Sequence, residues 1–204
     1  MRIKNREEIN KNILAAAIIE FSQHGYIGAS TKAIAERAGL TKSQLHYYIG
    51  SKNSLYQKVL GMLFDAWGNL ADFSVQGNLS PSKIISNYIE MKLNFAFKHK
   101  ELSRIFTVEI ISGGENLLVF WPEAMKLLKT NVKVINGWIE KDQIRALDGR
   151  LLLMNIWALT QYYADYALQA EVILEGSLDD LQVQNKVKEE LKTSILLGCG
   201  LPLE

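Results

Sequence analysis

Glycines at positions 25, 39 and 50 cut the first fifty residues into three helical segments, and this spacing limits the N-terminal fold more than any other feature. Ile9, Ile13, Ala16, Ala17 and Phe21 recur at helical intervals, so residues 7–24 read as an amphipathic helix ending at Gly25. A second helix is expected over 31–38, with Ser30 or Thr31 at its N-cap. Gly39 permits a tight turn, and a third helix follows to about Tyr48. Thr41 at its N-cap with Gln44 three residues on forms a capping box. Three short helices with a glycine turn between the second and third have helix-turn-helix geometry. Ile34, Ala35, Ala38, Leu40 and Leu45 can lock the two helices together, which leaves Lys42, Ser43, Gln44, His46 and Tyr47 exposed on the third.

Those exposed side chains suit nucleic acid. Lysine neutralises phosphate, glutamine can pair bidentately with adenine, and serine or tyrosine can donate to either phosphate or base. Charge points the same way. Residues 1–60 hold nine Lys/Arg against four Asp/Glu, a net of +5, while the rest of the chain carries −4. A basic end on an acidic body suggests that only the N-terminal part meets a polyanion.

The remainder also reads as helix. A fourth helix is expected from Lys52 to about Phe73, then a polar loop over 74–80, then a helix opened by Ser80-Pro81 and running to about Lys98. Further helices are expected over 101–112, from Trp121-Pro122 to near Lys141, over 149–174 and over 179–198. No strand alternation or internal repeat is visible. The fold class expected is all-α, about nine helices, with a helix-turn-helix domain over 1–50 and a ligand-binding and dimerisation domain over 51–204.

Several function classes are disfavoured. The single cysteine, Cys199, allows no internal disulfide and reads as a small apolar filler, and His24, His46 and His99 lie too far apart for metal-ligand spacing. No nucleophile–base arrangement or Gly-rich phosphate loop appears, so no catalytic residue, cofactor or metal is expected. No run of 18 apolar residues occurs, and no apolar stretch of signal-peptide type follows Met1. These features favour the cytoplasm.

From Ile13 to Val59 the chain resembles the DNA-binding domain of the TetR family. The matching residues are Ala16-Ala17 before Phe21, Gly25-Tyr26, Ser30-Thr31, Ile34-Ala35, Ala38-Gly39-Leu40, Thr41-Lys42-Ser43, Tyr47-Tyr48, Ser51-Lys52 and Leu55. Ile49 departs from the phenylalanine usual in the family but still fills an apolar socket. The resemblance implies that Lys42, Tyr47 and Lys52 hold phosphates and that Ser43, Gln44 and His46 face bases. Thr31 joins this DNA-contacting set. It also implies a homodimer, held by the last two helices, on a palindromic double-stranded operator.

The body resembles the pyrimidine-utilisation (rut operon) repressor branch of the same family. The segments concerned are Ile156–Ala167, Asp65-Ala66-Trp67, Tyr88-Ile89-x-x-Lys92-Leu93 and Gly137-Trp138-Ile139. In that branch the residues matching Trp67, Trp157 and Gln161 form part of the pyrimidine site, which implies uracil or thymine as effector. The residue types agree. Trp157 and Gln161 share a helical face, tryptophan offers a flat apolar wall, and the glutamine amide matches adjacent N–H and C=O groups. Spacing alone equally fits ordinary core packing for each tryptophan, and Glu109 reads as a core-edge carboxylate. The sequence leaves open a different planar or apolar inducer such as a drug or fatty acyl group, a helical enzyme, and an adaptor bundle.

Overall fold

The computed structural model describes residues 2–68, 71–77 and 79–202. Asn69, Leu70 and Asn78, which fall in the expected fourth helix and the loop after it, lie outside the described residues, as do Met1, Leu203 and Glu204. Among the described residues there are ten α-helices, two short 3-10 turns and no strand: α1 (Arg2–Gly28), α2 (Thr31–Arg37), α3 (Lys42–Ile49), α4 (Lys52–Gly68), α5 (Pro81–Lys98), α6 (Lys100–Ile111), α7 (Trp121–Glu140), α8 (Gly149–Asp165), α9 (Ala167–Leu174) and α10 (Leu181–Gly198). The all-α fold is as expected, with one helix more than the nine anticipated.

The differences have local causes. The segment 149–174 is two helices, because Tyr166 (φ −111°, ψ 32°) leaves the helical region between α8 and α9. No proline or glycine marks that break. The expected helix to Phe73 ends as α4 at Gly68, and Asp72 is extended, its carboxylate accepting from the Ser74 N–H at 2.8 Å to cap a separate 3-10 turn over Phe73–Val75. Gly25, at φ +62° and ψ −176°, is non-helical, so α1 is broken by a kink at the residue where the sequence places its end.

The chain divides into two compact units. The first comprises Met1–Asp65 and Glu101–Phe120 and the second Ala66–Lys100 and Trp121–Glu204. In the first, Ile13, Ala17, Phe21, Ile34, Leu45 and Tyr56 are fully buried. Each large apolar side chain of this kind contributes roughly 1.5–3 kcal/mol. Phe21 meets Tyr56 edge-on at 4.7 Å. Tyr56 donates its hydroxyl to Glu109 Oε2 at 2.8 Å, and Glu109 Oε1 accepts from the backbone and side-chain amides of Asn116 at 2.9 and 3.0 Å. Glu109 is therefore a fully buried, hydrogen-bonded carboxylate rather than a core-edge one.

The second unit is built on α5, which packs against both α8 and α10. Phe73 stacks on Trp138 and meets Tyr88 edge-on. Its N–H donates to Asn131 Oδ1 at 2.9 Å, while Asn131 Nδ2 donates to the Ala71 carbonyl at 2.7 Å. One buried amide thus satisfies the backbone of the 71–73 segment from both sides.

Candidate functional site

The first unit presents α3. Ser30, not Thr31, caps α2, accepting from the Ala33 N–H, while Thr31 is the first residue of that helix and half-buried. At the start of α3 both bonds of the capping box form: Thr41 Oγ1 accepts from the Gln44 N–H at 3.2 Å, and Gln44 Oε1 accepts from the Thr41 N–H at 2.8 Å. Leu45 is fully buried and pins the helix, so Lys42, Ser43, Gln44, His46 and Tyr47 share its exposed side. Tyr47 is 80% exposed, so its ring is free to meet a partner molecule. Lys52 is half-buried, donates to the Ile27 carbonyl at 3.1 Å and lies 5.1 Å from the Tyr26 ring centroid. It thereby ties the start of α4 to the end of α1. His46 Nδ1 sits 3.5 Å from the Gly50 carbonyl.

In the second unit, Trp67, Trp157 and Gln161 each make separate polar or ring contacts on α4, α5 and α8. The Trp157 indole N–H donates to the Tyr88 hydroxyl at 2.6 Å. One helical turn along α8, Gln161 donates to Asp165 at 3.0 Å. One turn along α5 from Tyr88 is Lys92, whose ammonium lies 3.8 Å from the Trp67 ring centroid. Phe95 closes on Trp67 from the same helix, centroids 5.9 Å apart. α5 and α8 thus bring forward alternating flat and polar groups, with the end of α4 adding an indole. Burial pushes the Tyr88 phenol up to about 12, with Trp157 donation acting the other way, so it is neutral at physiological pH.

Lys92 is the residue that sequence reasoning missed. It is 8% exposed, and among the described residues its ammonium has the Trp67 ring for company and no ion pair. Burial pushes it down to about 7. The signal was present: a lysine four residues after Tyr88, flanked by Ile89 and Leu93 on an apolar helix face.

Two grooves open on this unit. One, of about 620 Å³, runs along α5 past Asn87, Met91 and Phe95; the other, of about 600 Å³, lies between α8 and α10 past Leu151, Asn155 and Ile195. None of Trp67, Trp157 or Gln161 lines either one. Among the described residues no three His, Cys, Asp or Glu gather as a metal ion requires, and no helix is long and apolar enough to cross a membrane. Cys199 is buried.

Residues 13–59 match the family of bacterial regulatory proteins called tetR, and residues 60–202 match the C-terminal region of YcdC-like proteins. The chain is 34% identical over 190 residues to the HTH-type transcriptional regulator RutR of Escherichia coli K12, covering 92% of this chain and 89% of that one. Among solved structures, AibR in complex with isovaleryl coenzyme A and operator DNA superposes with a TM-score of 0.72 at 16% identity, over 92% of this chain and 97% of that one. The TetR family regulator PfmR of Thermus thermophilus superposes with a TM-score of 0.71 at 16% identity, over 91% of this chain and 97% of that one. At such identities the structural matches establish the fold alone. The matches over 13–59 and 60–202, with the identity to a transcriptional regulator along nearly the whole chain, show that this protein belongs to the TetR family of bacterial transcriptional regulators.

Proposed function

We propose that this TetR-family regulator is a cytoplasmic repressor that reads a palindromic operator as a homodimer and responds to a uracil- or thymine-type pyrimidine. The observation that supports the effector is the pair of contacts that α5 makes, Tyr88 with Trp157 of α8 and Lys92 with Trp67 of α4, with Gln161 one turn beyond Trp157. Planar indoles beside a few fixed polar groups suit a small planar heterocycle. The identity to RutR over nearly the full chain supports the same reading.

For DNA, Lys42 and Tyr47 contact phosphates, Ser43 and His46 face the groove, and Thr31 approaches the backbone from the start of α2. Lys52 serves two roles, bracing α1 and adding positive charge beside the phosphates. One α3 reads few base pairs; two, related by a two-fold axis, read half-sites about 34–36 Å apart or a multiple of that. Exposed Leu151, Met154 and Leu159 on α8, with Leu197 on α10, supply the apolar surface for pairing with a second copy. The effector acts through α4, which starts in the first unit at Lys52 and carries Trp67 in the second. Such coupling typically amounts to about 1–3 kcal/mol.

Titration calorimetry with uracil and thymine tests the effector. Saturable binding on the order of micromolar, abolished in Gln161→Ala, is the expected result. No heat up to roughly millimolar ligand removes the pyrimidine and leaves the DNA-binding role standing.

A further inference from the structure

A buried ammonium that no carboxylate accompanies among the described residues is an unfinished electrostatic arrangement. Lys92 carries three N–H donors, and the side chain is more than nine-tenths buried. Its one described partner, the Trp67 ring at 3.8 Å, offers a π face and accepts none of those donors in an ordinary hydrogen bond. The carboxylate two residues before it does not serve. Glu90 is 3.3 Å from the Lys192 ammonium, which binds it on the other side of α5 toward α10. The Tyr88 oxygen, one helical turn before Lys92, accepts from Trp157 at 2.6 Å. Removing a cation from water without a counter-charge is costly, and a negatively charged oxygen bound beside Lys92 would offset that cost.

We infer that Lys92 selects the effector through an oxygen bearing negative charge, so that the site ranks planar imide rings by the acidity of their N–H. The inference rests on the pyrimidine reading above and adds the charge state of the ligand to it. When a ring imide ionises, its proton goes to solvent and the charge spreads over the two flanking carbonyl oxygens. One of those oxygens then accepts from Lys92 Nζ while Trp67 covers the ring or the ammonium. A charge-assisted bond of this kind is shorter and about twice as strong as a neutral one. Trp157 and Gln161 give the site its shape and its amide complement; Lys92 sets its preference for charge.

The test uses the full-length protein and three rings of nearly one size whose N–H acidity rises in order: uracil, 5-fluorouracil and 6-azauracil. Each is titrated calorimetrically at one near-neutral pH into the wild type and into Lys92→Met, with the fold of the variant checked by circular dichroism. The expected wild-type result is an affinity that climbs by about tenfold or more from uracil to 6-azauracil, a slope that Lys92→Met flattens. Equal affinities for the three rings in the wild type, or a slope that survives in Lys92→Met, overturn the inference while leaving the pyrimidine reading intact. Heat from none of the three rings overturns both. The wild-type series decides the matter even if the variant misfolds.

Discussion

Replacing Lys92 by methionine should make the protein more stable, and by an amount that depends on pH. Burial pushes this ammonium from its ordinary 10.5 down to about 7. At about 1.36 kcal/mol for each pH unit, holding it in the folded chain costs about 5 kcal/mol wherever both folded and unfolded forms are charged. The Trp67 face returns about 2 kcal/mol of that when desolvated, and methionine forfeits this return. The net gain for Lys92→Met is therefore about 3 kcal/mol below neutral pH. The sign follows from proton binding. Between about 7 and 10.5 the unfolded chain holds a proton that the folded one has lost, so wild-type stability rises with pH across that window. The advantage of the variant is fully present below about 7 and fades toward 10.5. For a chain of this length, 1 kcal/mol moves Tm by about 2–4 °C, which gives roughly 6–12 °C at pH 6 and a clearly smaller difference near pH 9.5. Calorimetric or circular-dichroism melts at one fixed protein concentration measure it, since a dimer's Tm shifts with concentration. A variant that melts at or below the wild type, or a difference that ignores pH, would refute the reasoning.

Three further outcomes follow from the first unit. Tyr47→Ala removes an 80%-exposed ring that packs against Tyr48, so operator affinity in a fluorescence anisotropy assay should fall several-fold while the circular-dichroism spectrum stays unchanged; full affinity would take Tyr47 off the DNA. Gln44→Glu keeps an acceptor for the Thr41 N–H and so preserves the cap, but it sets a negative charge toward DNA. Thermal stability should hold within about 0.5 kcal/mol while operator binding drops, and a parallel loss of both would assign Gln44 to the cap alone. Tyr56→Phe strips one of three donors from the buried Glu109 carboxylate. Denaturant unfolding should show a loss of about 1–3 kcal/mol, whereas an unchanged midpoint would mean that water or a rearranged Asn116 satisfies the acid.

Much of this architecture is written in short-range signals. The α2–α3 turn is legible because Gly39 (φ +70°) marks the left-handed position and Thr41 with Gln44 announces the helix that follows. Ser80-Pro81 fixes the start of α5 in the same way, with the Ser80 hydroxyl accepting from the Lys83 N–H. One break that escaped notice lacks such residues: Tyr166 ends α8 with no glycine or proline. The other falls at Gly68, where α4 ends within a run that reads as one helical pattern. The residues proposed for the effector were partly visible for the same reason. Trp157 and Gln161 lie one turn apart on a single helix, so periodicity pairs them. The contacts of Trp157 with Tyr88 and of Trp67 with Lys92 join residues far apart in the chain, and no local rule anticipates either.

Gln44 shows how the same economy constrains reading of DNA. A bidentate pair with adenine needs both the amide oxygen and the amide nitrogen of one glutamine. In the structure that oxygen is held by the Thr41 N–H at 2.8 Å, an end-of-helix donor that would otherwise need water or another acceptor. Turning the whole amide to a base would give up the Gln44 half of the capping box, while the Thr41 hydroxyl still caps the Gln44 N–H. Contact through the nitrogen alone donates to acceptors on either purine and so discriminates weakly. Under the proposed DNA role, Ser43 and His46, with Lys42, Tyr47 and Lys52 proposed for phosphates, then share in setting the register. The capping box, by stiffening the first turn of α3, holds those side chains in place for it.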